Sequence, residues 1–140
     1  MKTLEAIKIG SKLLKEKKIS SYVLDTELLL SRVLNKSREE ILINLDNKID
    51  KKKISIFEKY LYRRSKNEPI AYILEEKEFW SKKFKVNRDT LIPRPETELL
   101  IGEILKLYKG KKISILDIGT GSGCIIISLL NYLKQSTGTG

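Results

Sequence analysis

Histidine is absent from this chain of 140 residues, and cysteine, methionine and tryptophan occur once each. The absence of histidine excludes imidazole acid–base catalysis and most zinc sites. The single cysteine, Cys124, excludes an internal disulfide, and its place directly after a glycine-rich turn predicts a small core residue rather than a nucleophile. No apolar run reaches the roughly 18 residues that a membrane helix needs, and the charged beginning lacks a leader's apolar segment. We therefore expect a cytoplasmic protein without a membrane span.

Positive charge is in excess, with 28 Lys and Arg against 18 Asp and Glu and a formal net charge of +10. The excess is spread through a charged background, with runs at Lys51–Lys53 and Arg63–Lys66. Nucleic-acid binders concentrate such charge on one face, so the diffuse pattern favours solvated helix surfaces. We expect no direct binding of nucleic acid, although a basic face would suit an acidic protein or an RNA-bearing partner.

Residues 1–68 are predicted to form a bundle of four amphipathic helices, because their apolar residues recur at helical spacing. Ser20 or Ser21 is positioned to cap the second helix, and Ser37–Glu40 has the capping-box pattern before the third. Asp50 precedes the fourth helix, which is expected to end before Pro69. A bundle of this size is marginally stable alone but serves well as a recognition module.

The apolar period changes in residues 69–92, which we interpret as a β-hairpin linker. Short strands are predicted at 70–73, 78–80 and 83–86, the last two joined by a tight turn near Ser81–Lys82. Phe79 and Trp80 are expected in the core of this hairpin rather than against a ligand.

Two prolines follow in the sequence Ile-Pro-Arg-Pro-Glu-Thr-Glu, residues 92–98. They predict an extended entry into a helix, with Pro95 in its first turn. The helix is expected to continue through Leu99–Leu107 and to be closed by Gly110.

Residues 113–123 read Ile-Ser-Ile-Leu-Asp-Ile-Gly-Thr-Gly-Ser-Gly, a pattern typical of a buried strand opening into a ligand-binding turn before a helix. A phosphate-binding P-loop needs a lysine after the glycines, and none occurs before Lys134. A nicotinamide fingerprint would require a third glycine where Cys124 stands. The pattern present is Asp-x-Gly-x-Gly-x-Gly, beginning at Asp117. A turn that merely joins a strand to a helix is the alternative.

This pattern resembles motif I of the Rossmann-like S-adenosylmethionine methyltransferases, and the chain as a whole resembles the HemK-type protein-(glutamine-N5) methyltransferases that modify peptide chain release factors. The segments that carry the resemblance span most of residues 20–130; they are Asp25–Leu30, Arg63-Arg64, Glu68–Ile73, Glu78–Trp80, Leu91–Glu98 and Ile115–Gly123.

The resemblance implies an α/β fold with an N-terminal helical substrate-recognition bundle (1–68), a β-hairpin linker (69–92) and the first part of a Rossmann-like methyltransferase domain (93–140). It implies that the chain methylates the side-chain amide of the glutamine in the Gly-Gly-Gln loop of a release factor, with S-adenosyl-L-methionine as cofactor. The implied cofactor-binding residues are Asp117, Gly119, Thr120, Gly121, Ser122, Gly123 and Arg94. For Arg94 and Glu98, an ion pair and cap charge at the start of the helix is the competing interpretation.

The chain departs from the family pattern in its last third. No Asp or Glu follows Asp117, so an acid for the ribose hydroxyls is missing, and the family's Asn-Pro-Pro-Tyr motif, which grips the target amide, is absent. Glu75 also stands where the family usually has glycine. We therefore expect no catalytic residue in this chain and a truncated nucleotide domain. Residues 135–140 are expected to form a polar loop, leaving the strand after residue 113 without a neighbour. The alternative function is that of a non-enzymatic remnant or split-gene fragment whose helical bundle binds a partner protein.

Overall fold

The computed structural model describes all 140 residues and divides them into two compact units, residues 1–74 and 75–140. None of its helices is long and apolar enough to cross a bilayer. The first unit contains α1 (Thr3–Glu16), α2 (Tyr22–Leu34), α3 (Arg38–Ile43), α4 (Lys51–Ser65) and α5 (Ile70–Leu74). The second contains β1 (Glu76–Phe79), β2 (Lys82–Lys85), α6 (Thr97–Tyr108), β3 (Ser114–Leu116), α7 (Cys124–Tyr132) and β4 (Thr137–Thr139).

The helices of the first unit bury their apolar faces against one another, as the helical periodicity predicts. The helix α2 packs against both α1 and α4, so it forms the centre of the bundle. Removal of these side chains from water is the main stabilising term for such a small unit. The buried core comprises Ala6, Leu14, Ile19, Leu29, Leu30, Ile41, Ile49, Phe57, Leu61 and Ile73.

Two of the three predicted helix caps are confirmed. The Ser37 hydroxyl accepts from the Glu40 amide (3.1 Å) while the Glu40 carboxylate accepts from the Ser37 amide (2.6 Å). Asp50 accepts from the Lys52 amide at 2.7 Å. Ser21 does precede α2, but its backbone is not extended (φ −85°, ψ 21°) and its side chain accepts no helix amide. Its hydroxyl donates to the carboxylate of Asp25 at 2.7 Å.

The acidic residues of α2 are buried and paired. The Asp25 carboxylate accepts from Nε of Arg64 on α4 at 2.7 Å, and the Glu27 carboxylate accepts from Nε of Arg38 on α3. A buried carboxylate is costly to leave unpaired, so each arginine fixes how its own helix docks on α2. These ion pairs therefore orient α3 and α4 on α2.

Residues Ile70–Leu74 form the short helix α5, so the prediction of a strand at 70–73 is wrong. The amides of Tyr72 and Ile73 donate to the carbonyl of Pro69, and proline is well suited to the start of a helix. Arg63 at the end of α4 forms a two-point ion pair with Glu68, at 2.9 and 2.7 Å. This ion pair between residues five apart in the chain stabilises the turn that precedes α5. The apolar pattern of residues 70–73 does not reveal it.

The predicted hairpin is present, with β1 and β2 antiparallel and Phe79 opposite Lys82. Trp80 and Ser81 form its two-residue turn, one position earlier than predicted, with φ of +48° and +57°. Left-handed angles at both positions match the twist of the flanking strands. Phe79 is buried as expected and meets Phe84 edge-on at 6.2 Å between ring centroids.

The helix α6 begins at Thr97, so the placement of Pro95 in its first turn is wrong by two residues. The amides of Thr97 and Glu98 donate to the carbonyls of Arg94 and Pro95, which makes the proline part of a turn that precedes the helix. The helix ends at Tyr108, and Gly110 with φ of +74° follows it, as predicted.

The last residues form a strand, so the prediction of a loop and of an unpaired β3 is wrong. The strand β4 pairs in parallel with β3, with Ser114 opposite Thr137. This pairing uses main-chain groups and does not require apolar side chains. Gly138 permits a close approach to α7, since a Cβ there would lie 2.7 Å from Cδ1 of Ile126. The chain thus completes a β3–α7–β4 unit, with Cys124 buried in its core as expected.

Candidate functional site

The turn between β3 and α7 contains three glycines that all adopt left-handed backbone angles. The φ values of Gly119, Gly121 and Gly123 are +78°, +57° and +75°. Residues with a Cβ adopt such angles at a cost, so the turn depends on glycine at these positions.

The first and last of these glycines face different surroundings. A Cβ at Gly119 would meet no atom within 4 Å, so the backbone there borders open space. A Cβ at Gly123 would lie 2.9 Å from Cδ1 of Ile127, so this glycine serves the packing of the turn on its own helix. At Gly121 the nearest atom to an added Cβ is 3.9 Å away, so Gly119 and Gly121 are both positions where a ligand can approach the backbone.

The turn presents several unused hydrogen-bond donors. The amide of Gly123 closes the turn by donating to the carbonyl of Thr120 at 2.9 Å. The amides of Gly119, Thr120, Gly121 and Ser122 donate to no main-chain acceptor. The first-turn amides of α7 are also free of partners within the helix. Such a concentration of amides at a helix N-terminus favours anionic or carboxylate ligand groups.

Asp117 flanks the turn and is linked to it by a side-chain contact. Its Oδ2 accepts from the Thr120 hydroxyl at 3.0 Å, and its amide donates to the carbonyl of Thr139 at 2.8 Å. Ser122, on the other side, has a buried hydroxyl without a partner and borders an open groove of about 530 Å³. The structure therefore brings Asp117 and residues 119–123 together, as their adjacency in the sequence requires.

Arg94 is not joined to this turn by any hydrogen bond or ion pair. Its side chain is exposed, and its carbonyl accepts from the amide of Thr97 at the start of α6. Its predicted part in cofactor binding remains a prediction.

Glu98 contacts the hairpin, an arrangement that neither sequence interpretation included. Its Oε1 accepts from the amide of Trp80 at 2.8 Å. The Trp80 ring lies 3.9 Å from the position of a Cβ on Gly102 and meets Tyr132 edge-on at 6.4 Å between centroids. Glu98 therefore ties the hairpin turn to α6. The feature of the sequence that could have indicated this contact is the two-residue turn, because it leaves the amide of Trp80 available for a side-chain acceptor.

The end of β4 lies beside the glycine turn. A Cβ on Gly140 would stand 2.7 Å from the Thr120 hydroxyl and 3.5 Å from Cβ of Asp117. In open α/β sheets the residue at the end of the second strand is the one that holds ribose hydroxyls, usually an acid. Gly140 follows β4 in this chain, and the Asp117 carboxylate accepts a hydrogen bond from Thr120 in the turn.

Comparison with known proteins gives consistent matches. Residues 5–74 match the family model described as the PrmC N-terminal domain. The release factor glutamine methyltransferase of Coxiella burnetii is 49% identical over 107 residues, which cover 76% of this chain and 39% of that protein. Its counterpart in Leptospira interrogans is 41% identical over 128 residues, covering 90% and 45%. A bifunctional methyltransferase of Rickettsia conorii is 43% identical over 143 residues, covering 84% and 27%.

The chain spans between about a quarter and just under a half of the length of these relatives. The family model covers the first unit almost completely, and the alignments with the relatives extend over three quarters or more of the chain. The chain belongs to the PrmC N-terminal domain family and corresponds to the N-terminal part of a HemK-type release factor glutamine methyltransferase.

Proposed function

We propose that this chain is the N-terminal part of a cytoplasmic S-adenosylmethionine-dependent enzyme that methylates the glutamine side chain of a peptide chain release factor. The first unit would bind the release factor, and residues 93–140 would begin a Rossmann-like methyltransferase domain. The observation that carries the proposal is the open glycine turn with its unpaired amides, found on a chain whose relatives are named as release factor glutamine methyltransferases.

The residues present fit one part of S-adenosylmethionine. When bound, this cofactor supplies an electrophilic methyl group on a sulfonium. The amides of residues 119–122 would donate to its methionine part, and the absence of a Cβ on Gly119 leaves room for that approach. The contact between Asp117 and Thr120 would keep the turn in shape. An acid for the ribose is not among these residues.

The amide nitrogen of the target glutamine imposes a second requirement on the active site. An amide nitrogen is a weak nucleophile because its lone pair is delocalised into the carbonyl. Most of the rate enhancement must therefore come from positioning. The Asn-Pro-Pro-Tyr sequence expected to orient the amide does not occur in these 140 residues, so we infer that the chain alone transfers no methyl group.

Cofactor binding is tested by titrating the isotope-labelled chain with S-adenosylmethionine and following its amide resonances. We expect chemical-shift changes concentrated in residues 117–123, and we expect the Gly119→Ala substitution to abolish them. Gly110→Ala is the matched control, because Gly110 also has a left-handed φ and no atom within 4 Å of an added Cβ. Both variants should lose about 1 kcal/mol of local stability from backbone strain. Equal loss of cofactor shifts in both variants, or shifts elsewhere in the chain, would remove the turn from the cofactor site.

Methyl transfer is tested by incubating the chain with a release factor and labelled S-adenosylmethionine. We expect no label on the release factor above background, and restored transfer when a downstream fragment with Asn-Pro-Pro-Tyr is added. Transfer by the chain alone would show that its own residues build the complete active site. Binding of a release factor without cofactor shifts would instead support the non-enzymatic alternative.

A further inference from the structure

The strand β3 is hydrogen-bonded along only one of its two edges. The amide of Asp117, one residue beyond β3, donates to the carbonyl of Thr139 in β4 at 2.8 Å. Main-chain groups of successive residues in a strand face opposite edges, so those of Leu116 face away from β4. The sheet consists of β3 and β4 alone, so this second edge of β3 has no strand beside it.

One face of β3 is also uncovered. Ile115 packs against the core of the second unit, whereas the side chain of Leu116 is 69% exposed. Ile118, just beyond the strand, is 88% exposed, the highest value among the large apolar side chains. Parallel sheets are normally covered on both faces. Residues 113–116 include no charge and no proline, which are the usual protection of an exposed edge. An unprotected edge beside exposed apolar side chains is typical of an interface.

The two open surfaces together specify the kind of partner. The free main-chain groups of β3 are satisfied by another β-strand, and the apolar side chains need an apolar layer over them. Strands that pair in parallel are connected through a crossover, usually a helix, that lies on the face of the sheet. A segment of α/β structure therefore meets both requirements, whereas a polar or anionic partner would leave Leu116 and Ile118 uncovered.

We propose that the free edge and open face of β3 bind an α/β segment of a methyltransferase domain, and this proposal rests on the function proposed above. The chain spans less than half of the length of its relatives that are named methyltransferases, so the rest of such a protein is long enough to provide the segment. A strand of the segment would pair with β3 at Leu116, and a helix would cover the side chains of Leu116 and Ile118.

The test co-expresses the tagged 140-residue chain with the part of the Coxiella burnetii relative that follows its matched 107 residues. We expect the two polypeptides to purify together in equal amounts. The variant L116K/I118K should recover at least about tenfold less of the fragment, because its charges would lie against an apolar layer. The control variant I9K/I43K introduces the same charges at exposed isoleucines of the first unit and should recover the fragment within about twofold of the unmodified chain.

Two further measurements separate docking from folding and from the exposure of the edge. Thermal unfolding of L116K/I118K without the fragment should match that of the unmodified chain, because both side chains are already exposed. Hydrogen exchange of the Leu116 amide should slow by at least about tenfold in the complex, because this amide would become bonded to the new strand.

Four results would overturn the assignment. One is a chain that recovers no fragment, and another is an equal loss of fragment in the two variants. The third is a complex in which exchange of the Leu116 amide is unchanged. The fourth is pairing of the chain with a second copy of itself in the presence of the fragment.

The co-expression test contains neither a release factor nor added S-adenosylmethionine, so its result is separate from that of methyl transfer. A fragment that binds through β3 without restoring transfer would support this docking surface and count against the proposed function. Restored transfer that survives L116K/I118K would support the proposed function and overturn the docking surface.

Discussion

Gly10 on α1 lies where three helices of the first unit meet, and its replacement by alanine tests the packing there. A Cβ at Gly10 would lie 2.7 Å from Cγ2 of Thr26 on α2. It would also lie 3.2 Å from Leu61 and from Phe57 on α4. Heavy-atom contacts under 3 Å are repulsive, so the surrounding side chains would have to move.

Two opposing effects decide the outcome of Gly10→Ala. Alanine is favoured over glycine inside a helix by about 1 kcal/mol, whereas overpacking a core costs about 1–3 kcal/mol. Thr26 is fully buried, and its hydroxyl donates to the Tyr22 carbonyl at 2.7 Å, so its methyl group is held in place. We expect the cost to exceed the gain, with a net loss of about 1 kcal/mol in the free energy of unfolding.

Thr26→Ser identifies the responsible atom, because it removes Cγ2 and retains the hydroxyl. Alone it should cost about 1 kcal/mol for the lost methyl group. In the T26S background, Gly10→Ala should be nearly neutral, which gives a favourable coupling of about 1 kcal/mol. Gly102→Ala on α6 is the control, since the nearest atom to its added Cβ is 3.9 Å away. It should stabilise its helix by up to about 1 kcal/mol.

The assay is urea unfolding followed by far-ultraviolet circular dichroism, with all single variants and the G10A/T26S double variant measured together. Strict additivity of the two substitutions would refute the proposed contact. So would a Gly10→Ala variant that is more stable than the unmodified chain.

Three further predictions test local features of the two units. Asp50→Ala should lower the unfolding free energy by about 1 kcal/mol and Asp50→Asn by much less, in the same urea assay, because asparagine also caps helices; equal losses would contradict the capping role. Lys2 lowers the pKa of Asp46 through its hydrogen bond and its positive charge. The contribution of this pair to folding stability is therefore present above the unfolded-state pKa of Asp46 and is lost as the pH falls through its folded-state pKa. Lys2→Met should therefore raise the pKa of Asp46 in an NMR titration, and an unmoved pKa would disprove the pairing. Shortening the chain to remove β4 should speed hydrogen exchange of the Asp117 amide, which donates to Thr139; unchanged exchange would show that the strand pairing does not protect it.

Several features could be predicted from the sequence because they depend on residues close to one another in the chain. In the caps at Ser37 and Asp50, the side-chain acceptor lies only two or three residues before the amide that donates to it. The glycine turn follows from turn chemistry, since few residues other than glycine adopt left-handed angles at low cost. The hairpin follows from two short strand-like runs that are close together in the sequence. Asp117 lies beside the glycines of its turn for the same reason, because it is close to them in the sequence.

Other features were decided by contacts between residues far apart in the sequence. Local pattern favoured a strand at residues 70–73, whereas these residues form α5, which packs against α2 and α4. The polar strand β4 forms because β3 offers it a row of main-chain partners, which side-chain patterning cannot reveal. Glu98 finds its partner in the amide of Trp80 only after the hairpin folds onto α6. Helix caps and turns are chosen by local geometry, whereas these contacts exist only once the chain has brought distant segments together.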